Sequence, residues 1–108
     1  MKQISTLYRG SPDGKVIVDG KTLDPRFDLR NHSPSGLSYG YGGSGPSQLA
    51  LAILADFLGD DRKALVLYQP FKWRVIAQLP QRDPFQLTGA QVLGVVEVLE
   101  GEMRGRTT

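Results

Sequence analysis

One polar stretch holds residues that could act as an acid, a base and a nucleophile. It runs from Asp28 to Ser33 and contains His32, the single histidine of the chain. A histidine oriented by Asp28 could activate the hydroxyl of Ser33, Ser44 or Ser47. The spacing does not specify a catalytic triad, and no nucleophile-elbow pattern accompanies these residues. The sequence therefore favours a structural role, in which the polar side chains hold a loop through hydrogen bonds.

A glycine-rich stretch, Tyr-Gly-Tyr-Gly-Gly-Ser-Gly, leads through Pro46 into an apolar run. Its glycines permit close backbone approach, and a proline here is typical of a helix start. Free N–H groups at this start, together with Ser44 and Ser47, could bind a phosphate or a carboxylate. The alternative is that glycines such as Gly43 only shape the entry to a buried helix, with Ser44 or Gly45 as its N-cap. No P-loop or dinucleotide fingerprint is present, which favours this alternative.

Aromatic residues mark two places where a partner could bind. Tyr39 and Tyr41 alternate with glycines, so both rings could project from one side of an extended segment and anchor a partner or stack on a base. The alternative is that they seal an edge of the core with their hydroxyls in water. Trp73 lies between Lys72 and Arg74, a mixture of aromatic and basic residues that nucleic-acid-binding sheets also show. Strand-like alternation would instead place the ring in the core and the cations in solvent, and the sequence favours this second interpretation.

Composition limits the classes of function. The 108 residues, 40% of them hydrophobic, fit one domain that spans 1–108. A net charge of +2 is smaller than dedicated nucleic-acid binders usually carry. The sequence has no cysteine, which excludes disulfides and thiolate ligands, and one histidine makes a poor zinc site. We predict no metal and no cofactor.

The location of the protein is also predicted from hydrophobicity. The N-terminal residues lack the apolar core of a signal peptide. The longest apolar run, from Leu49 to Leu58, is interrupted by Asp56 and is about half as long as a membrane span. We therefore expect a cytoplasmic protein that does not enter a membrane.

The N-terminal part of the chain predicts an antiparallel meander of three strands. Residues 3–9 and 15–18 are rich in β-branched and aromatic types, and Ser11–Gly14 between them suits a tight turn. Asp19-Gly20 is a favoured I′ turn, and 21–23 would return as a short third strand.

Two helices and a fourth strand are predicted beyond the meander. The apolar run predicts a helix at about 46–58, ended by Gly59. Pro70 should end whatever precedes it, and the alternation that follows predicts a strand at 71–79. A capping box, Thr88-Gly-Ala-Gln, predicts a helix at about 89–101.

The predicted fold class is therefore α+β. The N-terminal meander and the strand at 71–79 form a small antiparallel sheet, which packs against the two helices.

Three segments together resemble a known family. The first is Asp-Leu-Arg-Asn-His-Ser-Pro at 28–34. The second, at 39–52, is the glycine-rich stretch followed by Pro46 and Ser-Gln-Leu-Ala-Leu-Ala. The third comprises Tyr-Gln at 68–69 and Phe-Lys at 71–72, on either side of Pro70. They resemble a family of small uncharacterised bacterial, plasmid and phage proteins, classed as a domain of unknown function. The resemblance brings no assigned activity. It implies a role in phage or mobile-element biology, such as binding a host or defence protein.

The sequence favours a non-enzymatic module that binds a protein partner through the loop at 28–46. The residues expected to contact a ligand or partner are Asp28, Arg30, His32, Tyr39, Tyr41, Gly43, Ser44 and Ser47. The main alternative is a small enzyme, or a phosphate- or nucleotide-ligand protein, that uses the glycine-rich helix entry and His32. Weak nucleic-acid binding is a third hypothesis. A homodimer that covers an open sheet edge is a variant of the first.

Overall fold

The computed structural model describes residues 1–105 and has an α+β fold of four strands and three α-helices, which confirms the predicted class. The strands are β1 (Leu7–Gly10), β2 (Val16–Val18), β3 (Lys21–Thr22) and β4 (Phe85–Thr88), and the helices are α1 (Ser44–Leu58), α2 (Asp61–Arg74) and α3 (Gly89–Gly105). A short 3₁₀ turn, Ile76–Gln78, follows α2. The strands lie in the order β3-β2-β1-β4, and each neighbouring pair is antiparallel.

The N-terminal meander is as predicted, with shorter strands. The N–H of Gly14 donates to the carbonyl of Ser11 over 2.9 Å and closes the first turn. In the second turn Asp19 has φ 53° and Gly20 has φ 73°, the two positive φ angles that a I′ turn requires. Tyr8 of β1 lies opposite Val18 of β2, so the inner face of the sheet carries large apolar side chains.

The predicted strand at 71–79 is wrong. Its first four residues complete α2, and the 3₁₀ turn follows. Ala64, Leu67, Tyr68 and Phe71 of α2 are buried, and their spacing of three and four residues places them on one helix face. The period-2 alternation after Pro70 is therefore coincidental, because burial follows the helical period.

Pro70 lies inside α2, so the expectation that it ends an element is also wrong. Proline removes the hydrogen bond that residue 70 would donate to the carbonyl of Val66. Val66 is exposed, so this part of the helix faces solvent, where water can satisfy the free carbonyl.

The fourth strand is β4, which pairs with β1 and places Leu87 opposite Tyr8. The predicted capping box begins α3. The N–H of Thr88 donates to Gln91 Oε1 over 2.8 Å, and the N–H of Gln91 donates to Thr88 Oγ1 over 3.1 Å. The helix continues to Gly105, four residues beyond the predicted end.

The first helix is the centre of the core. Every residue of α1 from Gly45 to Ala55 is buried. Gly59 ends the helix in the left-handed conformation with φ 63°, as predicted. Only Gly59 and Asp60 separate α1 from α2, so α2 returns antiparallel along α1 as a helical hairpin. The last turn of α2 therefore lies beside the first turn of α1.

Candidate partner-binding site

A buried glutamine holds the first part of the predicted loop. We define residues 24–33 as the polar segment. Gln48 of α1 has no exposed surface, and its Nε2 donates to the carbonyls of Pro25 (2.6 Å) and Arg30 (2.9 Å). Its Oε1 accepts from the backbone N–H of His32 over 2.8 Å. One side chain thus satisfies three backbone groups, as burial of an amide requires.

The carboxylate of Asp28 is engaged in an ion pair rather than aimed at the histidine. Arg26, which has φ 60°, donates Nε and Nη2 to Asp28, both over 3.0 Å. The same guanidinium reaches Asp61 at the start of α2 over 2.8 Å. These hydrogen bonds favour the charged form of each carboxyl group over the protonated form, and so lower the pKa of Asp28 and of Asp61. The ion pair between Arg26 and Asp61 thereby connects the polar segment to α2.

His32 pairs with a tyrosine. Its Nε2 and the hydroxyl of Tyr68 are 2.7 Å apart in a partly buried hydrogen bond, and the two rings lie 5.6 Å apart. Within residues 1–105, His32 makes no hydrogen bond to Asp28 or to a serine hydroxyl. The hydrogen-bond chain of the enzyme hypothesis is therefore not assembled in this structure.

The other predicted residue of the polar segment, Arg30, is exposed. Its guanidinium donates to the carbonyl of the neighbouring Leu29 over 2.7 Å. The backbone of Arg30 is fixed by Gln48, while its charged group stays at the surface.

The two tyrosines of the glycine-rich segment, defined here as residues 39–45, point to different places. Tyr39 is only 3% exposed, donates its hydroxyl to the carbonyl of Asp83 over 2.6 Å and packs edge-on against Phe85. Tyr41 is 44% exposed. The expectation that both rings project from one side is therefore wrong, and only Tyr41 presents its ring to solvent.

Consecutive glycines carry two exposed aromatic rings. A Cβ on Gly42 would collide with the indole of Trp73, and a Cβ on Gly43 would collide with the ring of Tyr41. Trp73 is 56% exposed, which corrects the expectation that it lies in the core. We call Tyr41 and Trp73, with the two glycines beneath them, the aromatic patch. Sequence reasoning missed Trp73 as a site residue because it assigned 71–79 to a strand.

The entry to α1 differs from the predicted N-cap. Gly43 is the N-cap, rather than Ser44 or Gly45, and no side chain caps the helix. Gly43 has an ordinary φ of −94°, so close packing and not positive φ explains the glycine. Ser44 is exposed, whereas Ser47 is buried and donates its Oγ to the carbonyl of Gly43 over 3.3 Å.

Two surface cavities lie away from the predicted site residues. One, of about 620 Å³, is formed by the N-terminal residues and the outer face of the sheet, and includes Lys2 and Arg9. The other, of about 540 Å³, is a mainly apolar groove between the end of α2 and α3 that includes Leu79 and Val98. None of the predicted site residues lines either cavity.

Residues 1–105 contain no group of three or more histidine, aspartate and glutamate side chains placed to hold a metal ion. They also contain no helix with the length and hydrophobicity needed to cross a membrane.

The fold and the site define a small α+β domain that exposes an aromatic patch at the entry to its central helix. The chain belongs to the family of unknown function DUF6166, whose model matches residues 8–98. That range contains all three segments of the predicted resemblance, and membership of a family of unknown function is thereby confirmed. No curated protein and no solved structure matches the chain.

Proposed function

We propose that this chain is a non-enzymatic binding module that binds a protein partner at the aromatic patch. The observation that carries the proposal is the pair of exposed rings, Tyr41 and Trp73, seated on consecutive glycines. Tryptophan and tyrosine dominate the binding energy of many protein interfaces. A partner that covered the patch would remove both rings from water.

The backbone beneath the patch is fixed before any partner arrives. The N–H of Gly40 donates to the carbonyl of Ile76 over 2.9 Å, and Tyr39 anchors the segment in the core. The hydroxyls of Ser38 and Tyr41 form a further hydrogen bond of 2.9 Å. A segment that is already ordered loses little conformational entropy on binding, which supports a role in recognition.

The charged residues support a protein rather than a nucleic acid as partner. Arg26, Lys63 and Arg74 each form an ion pair with a carboxylate. Nucleic-acid affinity depends on cations that are available to phosphates, and the carboxylates beside these three reduce their availability. Asp28 and His32 of the predicted loop also have partners within the chain, so the proposal places the contact at Tyr41, Gly43, Ser44 and Trp73.

The biological setting is a further part of the proposal. The resemblance to small proteins of bacteria, plasmids and phages supports a host or defence protein as the partner. Such an encounter would take place in the cytoplasm. We expect the partner to be found in a host extract rather than among secreted proteins.

Pull-down from a host extract with the immobilised chain tests the proposal. Wild type should recover a partner that Trp73→Ala and Tyr41→Ala recover poorly, and the same loss should appear when the purified partner is titrated. Val66→Ala is the matched control, because Val66 is also an exposed apolar residue of α2. Equal recovery by wild type and both aromatic variants would contradict the proposal.

A further inference from the structure

The cavity on the outer face of the sheet contains a cation that has no partner in the described chain. Arg9 lies on β1 between the buried residues Tyr8 and Gly10, so strand alternation directs its side chain to the outer face. Its cross-strand neighbours are Ile17 of β2 and Gln86 of β4. Within residues 1–105, the guanidinium makes no hydrogen bond and no ion pair. Because water satisfies an exposed arginine, the meaning of this group depends on the cavity around it.

The floor of the cavity is apolar and belongs to β1 and β2. Leu7 and Ile17 line it beside Arg9, and both side chains are half-buried. The two strands are internal to the sheet, since β3 and β4 form its edges, and a site built on paired strands is held in place more precisely than one on a loop. An apolar floor beside a single cation suits a ligand that combines an anionic group with an apolar body.

The wall of the cavity is an irregular segment, residues 1–6, that is fixed before any ligand binds. The N–H of Ala90 at the start of α3 donates to the carbonyl of Ile4 over 2.9 Å. Gly89 permits this close approach, because a Cβ there would collide with the carbonyl oxygen of Gln3. A cavity whose wall is already ordered loses little conformational entropy when a ligand enters it.

The other charged side chains of the cavity are paired with each other. Lys2 Nζ lies 2.7 Å from Asp19 Oδ2, and it also lies 2.8 Å from Asp56 Oδ2, outside the cavity lining. Arg9 is therefore the ionised side chain of the lining that is available to a ligand. The cavity volume of about 620 Å³ lies within the range of small-molecule sites, about 300–1,000 Å³. Charge and volume together favour a small anion.

We infer that this cavity binds a small organic carboxylate with an apolar body. The carboxylate accepts two parallel hydrogen bonds from the Arg9 guanidinium, the bidentate geometry that suits both groups. The apolar body covers Leu7 and Ile17 and removes them from water. No residue of the aromatic patch lines this cavity. The inference goes beyond the proposed protein-binding function and does not depend on it, because a small acid alone tests it.

Octanoate is the probe, because its flexible chain adapts to the shape of the cavity. An NMR titration of the full chain should show saturable binding with a Kd on the order of 1 mM, as expected for one charge pair and a short apolar chain. The amide resonances of Arg9 and Ile17 should shift, and that of Trp73 should not. Octanamide keeps the chain without the charge, and acetate keeps the charge without the chain. Each should bind about tenfold more weakly than octanoate.

Two variants and one matched control test the two halves of the ligand separately. Arg9→Gln, at an exposed position, should fold, weaken octanoate binding about tenfold and make octanoate and octanamide bind equally. Ile17→Thr keeps a β-branched residue in β2, and should weaken octanoate binding about fivefold while the affinity for acetate stays unchanged. Arg62→Gln deletes the same charge at an exposed position of α2 outside the cavity, and should bind octanoate as wild type does.

Several results would overturn the inference. They are a titration with octanoate that does not saturate, equal affinity of the wild type for octanoate and octanamide, and an equal change in Arg9→Gln and Arg62→Gln. If Arg9→Gln does not fold, Ile17→Thr decides, and undiminished octanoate affinity in that variant overturns the site. An acetylated tetrapeptide that ends in leucine also presents a carboxylate beside an apolar side chain. Tighter binding of this peptide than of octanoate would assign the cavity to the end of a protein chain and overturn the small-ligand inference.

Discussion

The two halves of the loop before α1 are fixed in opposite ways. In the polar segment, side chains fix the backbone: Gln48 binds three of its backbone groups, and Arg26 ties it to Asp61. In the glycine-rich segment, Tyr39 anchors one end, and the absence of side chains at the glycines lets the rest of the backbone pack closely against its neighbours. Gly40 lies against the backbone of Gln81 and Leu79, and Gly42 lies under Trp73.

This difference decides which residues are available for binding. The residues of the polar segment that resemble catalytic machinery are occupied within the chain, as the pairing of His32 with Tyr68 illustrates. The glycine-rich segment instead leaves Tyr41 and Trp73 exposed. Chemically reactive residue types in a loop therefore do not by themselves locate a site, because their hydrogen bonds can serve the fold.

The largest loss of stability is expected from Gly40→Ala. Gly40 has φ +87°, and a Cβ there would lie 2.6 Å from Gln81 Cα and 2.8 Å from the carbonyl oxygen of Leu79. Backbone strain and overpacking together should lower the free energy of unfolding by about 4 kcal/mol, measured by urea denaturation. Gly20→Ala separates the two causes, since Gly20 has φ +73° but open space around its Cβ. Equal losses in both variants would mean that the contact with residues 79–81 is not tight.

Gln48→Ala should lower the free energy of unfolding somewhat less, by about 3 kcal/mol, because it leaves buried backbone groups of the polar segment without partners. Pro25, Arg30 and His32 each lose one hydrogen bond. Urea denaturation measures the loss, and hydrogen exchange at the His32 amide should accelerate. Gln86→Ala, at an exposed strand position, is the control and should stay within about 0.5 kcal/mol of wild type. A small loss in Gln48→Ala would show that water replaces the amide.

Gly45→Val and Gly43→Val should each cost about 2 kcal/mol, through overpacking. A Cβ on Gly45 would collide with Ser38 Oγ, and one on Gly43 would collide with the ring of Tyr41. His32→Ala should cost only about 1 kcal/mol, because it removes one hydrogen bond to Tyr68. Urea denaturation of the three variants measures the loss of free energy of unfolding in each. A larger loss in His32→Ala than in either glycine variant would mean that the hydrogen bond to Tyr68, and not close packing at the helix entry, is the stronger constraint on the loop.

Local sequence signals predicted the elements that depend on neighbouring residues. The meander with its Asp19-Gly20 turn, the αL end of α1 at Gly59 and the capping box at Thr88 are all present. Each is decided by backbone conformation or by contacts within a few residues.

Interactions between distant residues explain what the sequence did not predict. Gln48 reaches Pro25, and Arg26 reaches Asp61 across 35 positions. Neither pairing follows from spacing. The helical stripe of Leu67, Tyr68 and Phe71 is present in the sequence and is consistent with α2, but a proline such as Pro70 ordinarily predicts the end of a helix. A glutamine directly before a long apolar run, as Gln48 is, is the signal that could have located the buried hydrogen bonds to the polar segment.

The smallest expected effect is a pH dependence that belongs to the polar segment. Arg26 lowers the pKa of Asp28 and Asp61 from their ordinary value of 3.8, so both carboxylates bind protons less readily in the folded than in the unfolded chain. The contribution of these two carboxylates to the free energy of unfolding is present above about pH 5 and is lost as the pH falls through 3.8 towards the lower folded values.

Arg26→Met should make the free energy of unfolding fall less between pH 6 and 3 than it does in wild type, as measured by urea midpoints at about pH 6, 4 and 3. Arg62→Met removes an equal charge from an exposed position of α2 and should retain the wild-type slope. If the two variants show the same slope, general charge repulsion and not the Arg26 pairs causes the acid sensitivity, and the polar segment is held by Gln48 alone.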